Sequence, residues 1–110
     1  VEFFEQNAVD DSRRSIKLIL LALNQDSISA VEACIRVSFL AKKASFSEEG
    51  LKAIKIFDEV AIKSSHIPIL EHWDRLKKDK KVKFEAEIKG LESEYKSKLL
   101  KPSDDLLRLL

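Results

Sequence analysis

Apolar residues recur at three- and four-residue intervals along most of this chain, and that spacing predicts helices. The clearest stretch is 46–76, FSEEGLKAIKIFDEVAIKSSHIPILEHWDRL. Ser47 suits an N-cap, because its hydroxyl can accept a hydrogen bond from an otherwise unpaired first-turn amide. Glu48 and Glu49 place negative charge at the positive end of the helix dipole. Phe46 and Leu51 fall at the positions of a hydrophobic staple. A helix is therefore predicted over 48–63, with Leu51, Ile54, Phe57 and Ala61 at helical spacing and Val60 and Ile62 widening the face. Gly50 costs a helix about 1 kcal/mol against alanine, which predicts close approach of a neighbouring helix there. Ser64 and Ser65 break the pattern. Pro68 is tolerated in a first turn, and Ile69, Leu70, Trp73 and Leu76 form the stripe of a further helix.

Upstream, 12–24 reads as a long helix. Ile16, Leu18, Ile19, Leu20, Leu21, Ala22 and Leu23 are apolar nearly all round, so burial on most sides is expected, through the middle of a bundle. Residues 1–11 either fray or dock as a short helix through Phe3 and Phe4, and docking is favoured because two exposed phenylalanines are costly. A turn at NQDS precedes Ser29 and Glu32, which match the S-x-x-E capping box. The helix after it is predicted over 30–44, with Val31, Cys34, Ile35, Val37, Phe39, Leu40 and Ala41 on a wide stripe and Lys42 and Lys43 in its last turn.

Beyond Leu76 the character changes. A charged helix over 77–100 carries one narrow seam, Phe84, Ile88, Leu91, Tyr95 and Leu99, close to a coiled-coil spacing. The seam has two readings, packing on the bundle or self-association through Phe84, Ile88, Leu91 and Tyr95. Pro102 is expected to end that helix and Ser103 to cap a last short one at 101–110. Leu106, Leu109 and Leu110 there read as ordinary docking residues, and loss of everything after Leu100 is expected to be tolerated.

These elements describe one all-α domain over 1–110. It is a bundle of four to five helices with short connections (helical core 12–76, charged helix 77–100) and a short C-terminal helix. Two glycines and two prolines are too few for the turns of a sandwich or barrel. No apolar run approaches the ~20 residues of a membrane span. A chain that begins at Val1 and has no methionine reads as a segment of a longer protein. The single Cys34, in a helical run, reads as a buried free thiol and points to a reducing, intracellular compartment.

The net charge of +1 hides an uneven distribution. The excess of cations lies in RLKKDKKVK, residues 75–83, a block able to steer acidic partners. It has no interleaved aromatics before Phe84, and the near-neutral total argues against nucleic acid as the partner. His66 and His72 lack the i, i+4 spacing of a helical zinc pair and read as solvent-facing. No nucleophile–base arrangement or phosphate loop is present, so neither catalysis nor a cofactor or metal is expected. Trp73 reads first as core and second as the lining of a groove.

Residues 15–78 resemble the N-terminal domain of transcription elongation factor S-II. The resemblance lies in SIKLILLAL, VEACIRVSFL, EGLKAIKIF and IPIL, with Gly50-Leu51 opening one helix and Ile67-Pro68-Ile69-Leu70 the next. It implies a small helical, non-catalytic interaction module of nuclear transcription elongation or chromatin machinery. Such modules take short disordered acidic–aromatic motifs in a groove between helices. Here that groove is expected between the 48–63 and 68–76 helices, which carry more large apolar residues than a small core needs. Ile54, Phe57, Leu70 and Trp73 form its wall, and Arg75, Lys77, Lys78, Lys80 and Lys81 steer acidic flanks. The alternative is a structural subunit that self-associates through the 84–99 seam.

Overall fold

A computed structural model describes residues 2–68 and 71–110, with side chains over 8–68 and 72–110. Among the described residues the chain forms α1 (Glu2–Asn24), α2 (Ala30–Ala41), α3 (Glu48–Lys63), α4 (Glu71–Asp74), α5 (Lys78–Tyr95) and α6 (Leu100–Leu109). A 3-10 turn at Ser97–Leu99 separates the last two, and no strand occurs among the described residues. The architecture is all-α, as the spacing of apolar residues predicts.

α3 is the central helix. Gly50, Ala53, Ile54, Phe57 and Val60 are buried along one stripe, and Ser64 continues it just beyond the helix end. Both start signals operate as read, with Ser47 Oγ accepting from the Gly50 amide at 3.4 Å and Ser29 Oγ accepting from the Glu32 amide at 3.1 Å. The Glu32 side chain, however, pairs with Arg36 at 2.8 Å. α2 packs against both α3 and α1, while α6 packs against α3 and α1 from the other end. The enclosed core joins Ile16 and Leu20 of α1, Val31, Cys34 and Val37 of α2, Ile54, Phe57 and Val60 of α3, and Tyr95, Leu99 and Leu106.

The N-terminal expectation is corrected in two ways. The first helix begins at Glu2, so no separate short helix precedes it; the side chains of Phe3 and Phe4 lie outside the described set. Nor is α1 buried on most sides: Ile16 and Leu20 have no exposed surface, yet Leu18 is 63% exposed. Its main neighbours among the described residues are α2 and α6, and Leu18 on its outer face is left exposed. α1 ends on Asp26, whose φ of 56° is left-handed. The Ser27 amide donates to the Ala22 carbonyl at 2.8 Å and the Asp26 amide to the Leu23 carbonyl at 3.1 Å, a Schellman closure.

The C-terminal third departs more. The charged helix stops at Tyr95, and Pro102 sits in the first turn of α6 instead of ending α5. Its missing amide hydrogen has no partner to lose there. Ser103 is buried within α6 and does not cap it. Leu106 has no exposed surface, so the expected tolerance of truncation after Leu100 is overturned. Removing a buried leucine costs about 2–5 kcal/mol, a large part of the ~5–15 kcal/mol that holds a domain together. Arg13 ties this end to the rest. Its guanidinium donates to the Ser45 carbonyl and, at 2.7 Å, to the Leu109 carbonyl, one of the last acceptors of α6, and lies 5.1 Å from the Phe46 ring centroid.

Phe46 also explains Gly50. A Cβ on Gly50 would stand 2.9 Å from Phe46 Cδ1 and 3.0 Å from its Cβ. The close neighbour is thus the ring preceding the helix and not the backbone of another helix, while Leu51, the other staple residue, is 55% exposed. Gly50→Ala is expected to lower the melting temperature despite the better helix propensity of alanine. In a Phe46→Ala background, which removes the ring but keeps its Cβ 3.0 Å away, the same substitution should lower it less. A thermal-denaturation cycle of the four proteins measures this, and equal effects in both backgrounds would contradict it.

Candidate functional site

α2 has more apolar residues than one buried stripe can use. Val31, Cys34 and Val37 turn inward, and Ile35 is left half-buried on a second face. That face borders a groove of about 470 Å³ whose walls include Val31 and Ile35 of α2, Pro68, Trp73 of α4 and Ile88 of α5. Ser29, Glu32 and Arg36 give it a polar edge. Pro68 itself is not helical, and the two residues between it and α4 lie outside the described set.

This groove is not the one the sequence predicts. Ile54 is 4% exposed and Phe57 fully enclosed, because α3 lies between α2 and α6. Neither residue can touch a ligand. Leu70, with Ile69, lies outside the described residues. Trp73 is half-buried and does line a groove, but one against α2 and α5. The sequence reading missed Val31, Ile35 and Ile88. The width of the α2 stripe was the available signal, since a helix that packs on one side needs fewer apolar positions.

The cations lie along the chain between two wall residues of the groove, Trp73 and Ile88. Arg75, Lys77, Lys78 and Lys80 are exposed and Lys81 is half-buried; among the described residues none of them forms an ion pair. Lys77 is the N-cap of α5 and makes no capping hydrogen bond from its side chain. Lysines at a helix N-terminus oppose the dipole, each by about 0.3–1 kcal/mol, so helix stability does not account for this run. At 3.6 residues per turn, Lys77, Lys81 and Phe84 share a face with Ile88, which lines the groove.

The seam of α5 is used within the chain. Tyr95 and Leu99 are buried, and Ile88 and Leu91 pack half-buried against the core. Phe84 is half-buried beside the His66 ring, 6.2 Å between centroids. Packing on the bundle is the reading the fold adopts, which leaves Tyr95 without surface to offer a second copy. The histidines face solvent, His66 pairing with Glu87. No cluster of His, Cys, Asp and Glu suited to a metal occurs among the described residues, nor does a helix long and apolar enough to cross a membrane.

Titration shifts lie away from the groove. Burial pushes the Cys34 thiol up to about 12, which removes the thiolate that nucleophilic chemistry requires. A hydrogen bond to Tyr95 holds the Lys63 ammonium above its ordinary value. The Tyr95 phenol is itself pushed up by a hydrogen bond with Glu59, with Lys63 acting against it. The Lys63 and Lys98 ammonium groups lie 4.9 and 5.3 Å from the Tyr95 ring centroid. This cluster joins α3 to the end of α5 and closes the core.

A family model described as "Protein of unknown function (DUF2489)" matches residues 4–106. That match takes in nearly the whole chain and overturns the resemblance to transcription elongation factor S-II, whose family gives no match. The quoted stretches are what any helix pair with a glycine near one start and a proline near the next would present. No curated protein and no solved structure matches the chain.

The state of Cys34 gives a pH dependence of defined sign. An unfolded thiol ionises near pH ~8.5, whereas the folded one holds its proton to about 12. Its contribution to stability is therefore complete below pH ~8.5 and declines as pH rises from there through 12. The stability difference between the wild type and Cys34→Ala in urea should narrow between pH 8 and 10. Alkylation of the folded chain at pH 8 as fast as a free cysteine would contradict the enclosed thiol.

Proposed function

The chain belongs to the DUF2489 family, whose description assigns no activity, and we propose that it is a non-catalytic protein-interaction module. It takes a short disordered acidic peptide, anchored by an aromatic or aliphatic side chain, in the groove between α2 and α5. The observation that carries this reading is an apolar groove whose wall residues Trp73 and Ile88 bracket a run of cations along the chain. Those cations form no ion pair among the described residues and do not stabilise their own helix. Apolar walls reward an anchor, and unpaired cations reward an acidic flank. The half-buried Trp73 is the side chain best suited to cover an inserted ring, since amphipathic aromatics dominate binding surfaces. An intracellular setting is part of the proposal, supported by the buried, unpaired Cys34. A transcription, chromatin or nuclear setting has no support beyond the S-II resemblance.

Burying one phenylalanine contributes about 1.5–3 kcal/mol, and exposed charge pairs add about 0–1 kcal/mol each. Single-anchor peptides should therefore bind with Kd of roughly 1 µM to 1 mM. Titration of an aspartate-rich peptide with one phenylalanine, followed by amide and indole chemical shifts, tests this. Val31, Ile35, Ile88 and the Trp73 indole are expected to shift, and added salt should weaken binding without abolishing it. Shifts confined to α3 and α6, or none at millimolar peptide, would overturn the assignment.

A further inference from the structure

The groove between α2 and α5 shares one wall residue, Arg36, with a second hollow. This hollow, of about 420 Å³, opens between α1 and α2 and is lined by Ser15, Leu18, Ile19, Phe39 and Leu40. Leu18 is 63% and Phe39 59% exposed. The core uses neither of them, and adjacent large apolar side chains on a surface mark a contact site. Cations neighbour this hollow along the chain, as they do the groove. Lys43 Nζ lies 4.9 Å from the Phe39 ring centroid, Lys42 and Lys17 are exposed, and none of the three is in an ion pair among the described residues.

The two hollows are in step along α2. The groove takes Glu32 and Ile35, whereas the hollow takes Phe39 and Leu40. At 1.5 Å per residue their centres lie roughly 9 Å apart along the helix. A polyproline-like extended peptide rises ~3.1 Å per residue with three residues per turn, so side chains three positions apart stand on one side about 9 Å from each other. Arg36 lies between and, among the described residues, forms an exposed pair with Glu32, an interaction weak enough to be shared with another carboxylate.

We propose that the partner of this surface is an acidic peptide with two apolar anchors three positions apart, one in the α2–α5 groove and the other in the Leu18–Phe39 hollow. The proposal rests on the groove reading above and extends it to a bidentate site, with an acidic group between the anchors over Arg36. The outer flanks face Lys42 and Lys43 at one end and the 75–83 run at the other. A second copy of this chain fits the role less well, because it would bring Lys17, Lys42, Lys43 and the 75–83 run against their own kind.

The test compares two synthetic aspartate-rich peptides on the whole chain: one with two phenylalanines three positions apart, the other with the second replaced by serine. Each is titrated into wild type, Phe39→Ser and Leu18→Ser, with amide shifts and Kd recorded and folding checked by circular dichroism. The two-anchor peptide should bind the wild type at least about tenfold more tightly, shift Leu18 and Phe39 as well as Ile88, and lose that advantage in both variants. Equal affinities with shifts at Ile88 and Trp73 would overturn the bidentate site and leave the groove standing. An advantage that survives in both variants places the second anchor elsewhere and overturns it too. No shifts near Ile88 and Trp73 with either peptide would remove the groove, and the bidentate site with it.

Discussion

Enclosing the apolar stripe of α3 sets the rest of the arrangement. Phe57, Val60 and Ile54 need cover on two sides, and α2 and α6 supply it. α6 is far along the chain from α3, so the segment between them must leave the core and return. α4 and α5 are that return path. α5 approaches the body along α2, and its last turns deliver Tyr95 and Leu99 to the core. Its first turns have no such role. The whole is elongated, with a radius of gyration of 14.9 Å against the ~13 Å of a compact chain this long.

The groove follows from that path. A helix that returns along α2 but joins the core only near its end leaves a gap beside α2, with Pro68 and Trp73 at its edge. Lys77, Lys78 and Lys80 at the start of α5 are tolerated because they are exposed, where each costs only tenths of a kcal/mol. Arg13 holds the opposite side rigid by linking α1, the turn before α3 and the end of α6 through two backbone carbonyls. A site backed by such a core and bordered by an element of lower contact density combines a fixed floor with a wall that can adjust.

What could be read in the sequence divides along the same line. Local signals misled at Pro102 and Ser103, both inside α6, but at the Ser47 and Ser29 caps, α3 over Glu48–Lys63 and the start of α2 at Ala30 the reading held. Wherever the outcome depends on which helix lies next to which, it did not. Ile54 and Phe57 looked like groove residues because α6, which covers them, looked dispensable. Leu18 looked buried because nothing in a periodic pattern says that the main cover of α1 comes from α2 and α6. Gly50 did mark a close approach, but the neighbour is Phe46, four residues earlier. The groove wall on α2 was visible as a stripe too wide for one face, and the basic run was plain from composition. Joining the two required the return path of α5.

The central claim is that the groove exists in the free chain, with α5 already in place along α2. Amide hydrogen exchange without any ligand tests it most directly. α2, α3 and α6 should exchange at one slow, common rate, and the first turns of α5 much faster. The turn around Ile88 should be protected at least about a hundredfold over an unfolded chain. Exchange around Ile88 as fast as in unfolded chain would mean that the groove lacks its α5 wall, and would contradict the account.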